Sequence, residues 1–392
     1  MIRAWATLGL MSSLFFIITA TTFDSLGLVL PAMVADLHWS WAQAGLGYTL
    51  LGVFCGITAT VPALLIRRIG LRRTLLLGGL VMVLAFLCLA YARDLVLYLA
   101  GASLAGLGFT LLATVPGTYL LARLFTRPAF AIGFYFTLGG LGAVFAPLFY
   151  YGVTPMIGGW RGYWLVAGML VGAIAIASAM LCDARSDVGA HHDSGIAGES
   201  WDVRAALKTP QFWILAAAYS AFLFCGITAN SVSVAHLTQH GVAAVAAGTM
   251  IGVSGALNAT ARLAGGLLTR RINARMLLIV ALLLLMVGLV ALAQAHDMTM
   301  MLIYAAGIGI GYGLTFLAST ILLLDYFGRK PNLELFAIVN LISTVGSVAP
   351  FLAGMSRDRL GSFTPFFYGL AALMALVLLA VVAMRPPAKR RA

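Results

Sequence analysis

Long apolar stretches alternate with short polar breaks along the whole chain. Each stretch holds about 18 to 27 residues, enough for a helix to cross a hydrocarbon core about 30 Å thick. Since backbone groups in lipid must be paired within their own segment, such stretches form helices. The pattern predicts an all-α integral membrane protein with twelve transmembrane helices, which begin near Thr7, Ala42, Thr74, Leu95, Ala129, Tyr163, Gln211, Ala247, Met276, Met298, Leu335 and Thr364.

Composition excludes a water-soluble protein. Of the 392 residues, 62% are hydrophobic and only 9% are charged, whereas soluble domains carry about 25% charged residues. The net charge of +12 would suggest nucleic acid in a soluble protein, but here the basic residues form short clusters between apolar stretches, which is typical of membrane topology. We therefore expect a lipid bilayer as partner and no nucleic acid.

The basic residues also predict the orientation. With the amino terminus inside, 19 of them fall on the inner side and four on the outer side, namely Arg93, Arg161, Arg357 and Arg359. Because cytoplasmic loops carry the excess of Lys and Arg, both termini are predicted to be cytoplasmic, in a multi-pass protein of the cell inner (plasma) membrane. The histidines expected in the outer loops are His38, His236, His240 and His296.

One long polar break divides the chain. It predicts an amino-terminal six-helix bundle over residues 1–182, a cytoplasmic linker over 183–209 and a second six-helix bundle over 210–392. His191 and His192 lie in this linker without a nearby Cys or further His, so that a flexible segment is favoured over a metal site. We expect neither a metal nor a cofactor.

The two halves repeat each other at an offset of a little over 200 residues. The matching segments are 67–69 with 270–272, 93–94 with 296–297, and 106–113 with 311–318. Two pseudo-symmetric six-helix bundles related in this way place a cavity at their interface near the middle of the bilayer, which suits alternating access.

Two charges fall well inside the predicted spans, Asp24 in span 1 and Arg262 in span 8. Each costs at least about 2.5 kcal/mol at a helix centre, so each needs a partner or water. Helix rise puts them about 6 Å apart along the membrane normal. Arg262 is predicted to hold a substrate carboxylate with its guanidinium fork, and Asp24 to carry a coupling proton. The alternative is a buried ion pair that holds two helices together.

Other polar side chains in the spans extend this candidate site. Asn258 lies one helical turn before Arg262 and could bind substrate, orient the guanidinium or pack against a neighbouring helix. Further residues that could line the cavity are Tyr219, Asn230, Tyr312 and Asn340. Asp325 ends span 10 on the inner side and is expected to pair with loop arginines in a gate.

The arginine-rich hairpin between spans 2 and 3 resembles that of the major facilitator superfamily, as do the twelve spans and the central linker. The family's Gly-x-x-x-Asp-Arg-x-Gly motif is matched by Arg68, Gly70, Arg72 and Arg73, whereas Ala63 and Arg67 replace its first Gly and its Asp. In the second half Gly266 and Arg271 match, while Arg270 and Asn273 replace the Asp and a Gly. The resemblance implies a gating role for Arg68, Gly70, Arg72 and Arg271.

A closer resemblance is to the monocarboxylate-porter branch, which includes oxalate- and formate-type carriers. Similar segments are 124–133, 139–142, 159–161, 209–213, 236–241 and 325–330. The resemblance implies that Arg262 corresponds to the span 8 arginine that binds the carboxylate. The chain departs from that branch by Asn258 in place of an Asp and by the lack of a lysine near Leu28 or within 335–354. A single cation favours monoanions over dianions.

Together these features predict a secondary active transporter of a small organic monocarboxylate, working by proton-coupled symport and rocker-switch alternating access, without a cofactor and as a monomer. The alternative within transporters is an exporter or importer of a larger amphiphile, such as a drug, siderophore or metabolite. A receptor of the same fold that binds without turnover is a further possibility. An enzyme is not expected, since no metal-ligand cluster, nucleophile motif or carboxylate pair lies in the spans.

Overall fold

A computed structural model describes residues 2–125, 128–181, 201–268, 271–328 and 331–387. Within these ranges the chain forms helices and no strands. Eleven of the described helices are long and apolar enough to cross a bilayer, and a bent pair, Trp41–Ile57 with Val61–Ile69, makes a twelfth. The prediction of an all-α membrane protein with twelve spans is confirmed, and every predicted start lies within four residues of the observed one.

Spans 1 to 6 form the first half. Span 1 contains Ile2–Thr19, a π-helical turn Ala20–Asp24 and Ser25–Leu37. Span 2 is the bent pair, and span 4 contains Leu95–Leu112 and Thr114–Leu124. The other spans of this half are Leu71–Ala90, Pro128–Val153 with a 3-10 turn Thr154–Met156, and Gly159–Leu181.

Spans 7 to 12 form the second half. Spans 7 to 10 are Pro210–Gln239, Ala244–Leu268, Ala274–Ala293 and Met298–Phe327. Span 11 contains Asn332–Ser343, a 3-10 turn Thr344–Val348 and Ala349–Leu360, and span 12 is Thr364–Ala383. Most of the predicted linker, including His191 and His192, lies outside the described residues, as does Arg270. Its last part contains a short helix, Val203–Leu207, directly before span 7.

The sequence repeat reappears as matching local structure. Asp94 caps span 4 by accepting a hydrogen bond from the Leu97 amide at 2.8 Å, and Asp297 caps span 10 by accepting one from the Met300 amide at 2.8 Å. Both aspartates satisfy an amide that the first helical turn leaves unpaired. The two halves therefore begin equivalent helices in the same way.

The outer surface of the bundle is apolar. Large side chains that stand largely exposed around it include Leu80, Met169, Leu376 and Leu379. An apolar surface of this extent would associate in water, whereas lipid chains cover it without cost. The exposed faces of the spans therefore agree with a membrane location.

Both chain termini lie at one end of the bundle. The Gln211 side chain, at the start of span 7, donates a hydrogen bond to the Arg385 carbonyl, just after span 12. Near the other terminus, the Trp5 ring packs 5.4 Å from the Phe125 ring, next to the end of span 4. We name this end of the bundle, where the odd-numbered spans begin, the terminal end. The opposite end, which contains loops 38–40, 91–94 and 294–297, is the distal end.

The two halves join at the distal end. The Asp358 carboxylate, in span 11, accepts hydrogen bonds from the Trp41 and Ala42 amides at the start of span 2, at 3.0 and 2.8 Å. One turn away the backbones touch, because a Cβ at Gly354 would overlap the Trp41 carbonyl. The Tyr151 hydroxyl, in span 5, donates to the carbonyl of Ala244, in span 8, at 2.6 Å. Carboxylate–amide hydrogen bonds, a backbone contact and a tyrosine–carbonyl hydrogen bond thus hold the two halves together at the distal end.

Toward the terminal end, the described parts of spans 2 and 11 pack mainly within their own halves, and each of these spans is interrupted. The two parts of span 2 meet at 53°, and beyond the bend Val61–Ile69 packs against spans 3 and 4 of its own half. Span 11 is interrupted by its 3-10 turn, and Asn332–Ser343 packs mainly against spans 7 and 10. Pro62 and Pro350 lie at these breaks, where a proline cannot donate the intrahelical hydrogen bond.

One expectation from the sequence is wrong. His236 is not in a loop but within span 7, where its side chain is fully buried. Its ring packs against the rings of His240 and Phe367, with centroids 4.4 and 4.9 Å away. Span 7 runs on to Gln239 because the flanking residues Val234 and Leu237 are apolar enough to extend the helix to the end of the bundle.

Candidate functional site

Arg262 lies in span 8, six residues before the span ends at Leu268, and it is half-buried. Its Nε donates a hydrogen bond to Asn258 Oδ1 at 2.9 Å. This contact joins residues one turn apart on the same helix face. In the part of the chain that the structure describes, the two Nη atoms of Arg262 have neither a hydrogen-bond nor an ion-pair partner. Asn258 thus fixes one edge of the guanidinium and leaves its fork free.

Aromatic rings from span 10 cover the guanidinium. Its central carbon lies 4.6 Å from the Phe316 ring centroid and 5.9 Å from the Tyr312 centroid. An arginine over an aromatic face is stabilised by about 0.5 to 2 kcal/mol, more where water is excluded. The rings therefore supply part of the stabilisation that a buried cation needs without neutralising its charge.

Span 7 contributes the next side chains of this layer. The Phe222 ring meets the Tyr312 ring edge to face at 4.6 Å, and the Tyr219 ring packs against Phe222 at 4.8 Å. Tyr312 comes this close because residue 226 of span 7 is Gly, whose missing side chain leaves room for the tyrosine ring. The three aromatic residues tie spans 7 and 10 together beside Arg262.

Tyr219 and Asn340 connect this layer to span 11. The Tyr219 hydroxyl donates to Asn340 Oδ1 at 3.2 Å, and Asn340 Nδ2 donates to the Phe336 carbonyl at 2.8 Å. Electrostatic interactions link the Tyr219 hydroxyl to Arg262 as well. Four of the side chains singled out from the sequence, Arg262, Tyr312, Tyr219 and Asn340, therefore lie in one connected group of the second half.

Asp24 lies at the last position of the π-helical turn of span 1, and its side chain is 4% exposed. Single π-helical turns occur often at functional sites. The extra residue in such a turn changes the direction of a side chain from that in a regular helix. Neighbouring helices hold this turn in place. Tyr48, in span 2, donates to the Phe23 carbonyl at 2.6 Å, and Tyr163, in span 6, donates to Ser25 Oγ at 2.5 Å.

The carboxylate of Asp24 is only partly paired. Its Oδ1 accepts a hydrogen bond from Asn230 Nδ2, in span 7, at 3.0 Å. Its Oδ2 is buried and has no hydrogen-bond partner among the described residues. No ion pair joins Asp24 to Arg262, although both are described, so the buried ion pair weighed from the sequence does not form here. Tyr312 interacts electrostatically with both groups.

The residues with an expected gating role lie at the terminal end. Gly70 forms the turn between spans 2 and 3, with a φ of 83° that favours glycine, and its amide donates to the Ile66 carbonyl. The other four side chains of this set, Arg68, Arg72, Arg271 and Asp325, are exposed. Among the residues that the structure describes, Asp325 forms no ion pair with an arginine.

Several residues around the site were not found from the sequence. Phe222, Phe316 and Phe336 are apolar residues in apolar spans, so nothing in the hydropathy pattern separates them from lipid-facing residues. The spacing of Tyr312 and Phe316, four residues apart on one helix, is the signal that points to a common face. Metal binding receives no support within the described ranges, where no three of His, Cys, Asp and Glu come together.

Comparison with known proteins agrees with this architecture. The family model of the Major Facilitator Superfamily matches residues 10–349 and, in a second match, 223–392. The chain belongs to this superfamily, and it is a multi-pass membrane transporter. One curated relative, the uncharacterized MFS-type transporter YhjX of Escherichia coli (strain K12), is 24% identical over 331 residues, which cover 81% of this chain and 79% of the relative.

Solved structures share the fold. A bacterial homologue of the human lysosomal transporter Spinster, in an inward-facing and unoccupied conformation, superposes with a TM-score of 0.74 at 15% identity, over 97% of this chain and 95% of the other. The same homologue in its inward-facing and occupied conformation gives a TM-score of 0.72 at 17% identity, over 96% and 94%. These similarities establish the arrangement of the twelve spans.

Proposed function

We propose that this protein is a secondary active transporter of a small organic monocarboxylate, coupled to protons. The observation that carries the proposal is the guanidinium fork of Arg262, six residues before the end of span 8, whose two Nη atoms have no partner among the described residues. A buried arginine without a carboxylate partner is costly, and a carboxylate substrate supplies the missing charge and two parallel hydrogen bonds. A single cation balances one negative charge, which favours monoanions.

The roles of the neighbouring side chains follow from their contacts. Asn258 orients the guanidinium through its bond to Nε. The hydroxyl of Tyr312 and the Tyr219–Asn340 pair supply polar groups for the rest of the substrate. The proton is carried by Asp24, whose Oδ2 lacks a partner among the described residues. These assignments make Arg262 the substrate-binding charge and Asp24 the coupling group.

The distribution of basic residues supports the orientation. We propose that the terminal end, which carries most of them, faces the cytoplasm of a cell inner membrane. The structure then corresponds to a carrier closed on the outside and diverging on the inside. Rocking of residues 1–182 against 210–392 reverses this state within a monomer. Arg68, Gly70, Arg72, Arg271 and Asp325 lie where the inner gate would close.

Uptake into proteoliposomes tests the proposal. Purified protein is reconstituted and supplied with radiolabelled lactate, pyruvate, acetate or oxalate, with and without an inward proton gradient. We expect one of the monoanions to accumulate and the gradient to increase its uptake. No uptake of any of the four compounds would overturn the assignment to small monocarboxylates.

Arg262→Lys is the decisive variant. It retains the positive charge but loses the planar fork, and hydrogen bonds between charged groups contribute about 1.5 to 3 kcal/mol each. We expect uptake to fall by roughly ten- to hundredfold, with insertion in the membrane unchanged. Arg359→Lys, at an exposed position of the distal end, is the matched control and should transport normally. Normal uptake by Arg262→Lys would remove this residue from the substrate site.

Asp24→Asn separates coupling from binding. The amide keeps the shape of the side chain but cannot exchange a proton. We expect loss of uphill, gradient-driven accumulation, while exchange of labelled for unlabelled substrate continues. The measurement compares the two modes in the same vesicles. Uphill accumulation that survives in Asp24→Asn would show that the proton uses another group.

The aromatic layer favours a second candidate, transport of a larger amphiphile. Phe222, Phe316 and the ring of Tyr219 present an apolar surface beside Arg262, as a drug-like or siderophore-like anion would require. The same reconstituted vesicles distinguish the candidates, because a labelled amphiphilic anion would then be taken up by the parent protein and not by Arg262→Lys, while none of the small monoanions would be taken up.

A further inference from the structure

Spans 1 and 7 cross at Asp24 and Asn230. The Asn230 side chain reaches across the boundary between the halves to Asp24 Oδ1 at 3.0 Å. One turn away, the backbones themselves touch, since a Cβ at Gly27 would overlap the Asn230 carbonyl oxygen. This crossing is a point at which the two halves meet in the interior of the bundle as well as at its distal end.

The crossing lies close to equivalent positions of the repeat. The offset of 203 that relates residues 67–69 to 270–272 also relates Gly27 to Asn230, whose backbones touch. Each half therefore contributes nearly the same part of its first helix, and the pseudo-symmetry axis that relates the halves passes close to this crossing. A movement of one half against the other must make or break it.

Among the described residues, no cation lies beside Asp24. The titratable side chains that interact with it are three phenols, Tyr48 of span 2, Tyr163 of span 6 and Tyr312 of span 10. Phenols stay neutral well above pH 8. From span 5, Gly142 packs against the same turn. Asp24 is therefore the described group at the crossing that can exchange a proton while the phenols stay neutral.

We propose that the crossing of Asp24 with Asn230 is a proton-operated contact between the halves, with Asn230 as its positioning residue. This inference rests on the proposed role of Asp24 in proton coupling. The contact forms when Asp24 carries a proton on Oδ2, while Oδ1 accepts the hydrogen bond from Asn230. When the proton leaves to water, one neutral donor does not offset the burial of the remaining charge, so the spans separate and the distal end opens.

The direction of the effect suits symport. In a carrier open at the distal end, water reaches Asp24 and a proton from that side neutralises it. The crossing then closes behind the bound substrate. After the proton is lost on the other side, the ionised carboxylate drives the halves apart at the distal end again. Through Asn230, the protonation of Asp24 thereby changes the side of the membrane from which the substrate site is accessible.

A distance measurement tests this without a known substrate. Spin labels replace Arg93 and His296, exposed residues in equivalent distal loops of the two halves, in a variant whose native cysteines are substituted. We expect the distance between the labels to increase from pH 5 to pH 9. The ratio of closed to open forms should fall by at most about tenfold per pH unit, the limit for one proton.

Exchanging the two side chains gives the sharpest comparison. In Asp24→Asn, the crossing keeps its shape without a charge, so the pH response should disappear and the fraction of the closed form should be the same at pH 5 and pH 9. The double variant Asp24→Asn with Asn230→Asp returns a single carboxyl to the same contact from span 7, and its pH response should return. Ser220→Ala, whose hydroxyl bonds only within span 7 at the Ala216 carbonyl, is the control and should match the parent.

The outcomes separate the inference from the proposed function. A response that is lost in Asp24→Asn and stays lost in the exchanged variant would overturn the role of Asn230 while leaving Asp24 as the proton carrier. A parent protein without any pH response would overturn both. Recovery in the exchanged variant supports the contact itself, since a purely structural role of Asn230 would not restore a pH dependence.

Discussion

The distal and terminal ends of the bundle differ in what brings helices together. At the distal end, spans 2 and 11 meet backbone to backbone, and the Asp358 carboxylate accepts two amide hydrogen bonds from the other half. At the terminal end the described parts of spans 2 and 11 pack mainly within their own halves, and the arginines there, among them Arg68, Arg72 and Arg271, are exposed. Closure of the distal end therefore depends on small residues and one carboxylate, whereas closure of the terminal end would bring like charges closer together.

The difference has a counterpart in the sequence motifs. Where the superfamily pattern has an Asp in the hairpin between spans 2 and 3, this chain has Arg67, which is exposed. The carboxylate that accepts hydrogen bonds from a helix start lies instead at the distal end, in Asp358. A carboxylate near a helix start interacts favourably with the helix dipole. The location of Asp358 therefore favours the state in which the distal end is closed.

Replacing Gly354 by Ala should have the largest effect on this comparison. The added methyl group would overlap the Trp41 carbonyl oxygen, so spans 2 and 11 cannot stay in contact. We expect the labels at Arg93 and His296 to move apart at every pH, and transport to fall at least tenfold. Gly369→Ala, which adds a methyl group where no atom lies within 4 Å, should leave both unchanged. An unchanged distance in Gly354→Ala would contradict the backbone contact.

Asp358→Asn should have an intermediate effect. The amide still accepts from one backbone N–H, but one hydrogen bond and the charge are lost, and these contribute about 0.5 to 1.5 and about 0.3 to 1 kcal/mol. We expect the fraction of molecules closed at the distal end to fall by roughly three- to tenfold in the same distance measurement. Asp94→Asn removes the same charge from a helix start within one half, so it should leave this fraction unchanged.

Arg67→Asp should have the smallest effect, at the other end. It restores the acidic residue of the superfamily pattern among exposed arginines, where ion pairs contribute about 0.2 to 1 kcal/mol. Labels at Arg73 and Ile272, exposed at the terminal end of each half, should approach each other in a minor fraction of molecules. High salt should reverse the change, since exposed charges are screened. A salt-insensitive shift would argue against an electrostatic cause.

Much of the fold was predictable because it depends on one-dimensional patterns. The twelve spans follow from hydropathy, and the buried charges Asp24 and Arg262 stand out because lipid tolerates so few. Hydropathy does not reveal the bend in span 2 or the 3-10 turn in span 11, because both lie within continuous apolar runs, although Pro62 and Pro350 mark them. A proline interrupts a helix without changing its hydropathy.

The contacts of the site were less predictable. A predicted separation of about 6 Å along the membrane normal indicates that Asp24 and Arg262 could meet, but depth does not give the rotation of a helix about its axis. In the structure each is instead paired with an asparagine, Asp24 with Asn230 and Arg262 with Asn258. The first partner comes from the other half, and neither spacing nor charge identifies a residue 206 positions away.

The position of the Asp24–Asn230 bond also constrains how such a protein can arise by duplication. At the repeat offset of 203, Asp24 corresponds to Ile227 and Asn230 to Gly27, so neither half contains both the acid and the amide. Two identical halves that contained both would form the bond twice, once on each side of the symmetry axis, and would hold two ionisable protons. The fused chain has one acid in one half and one amide in the other. Divergence of the halves therefore leaves a single proton to be exchanged at their boundary.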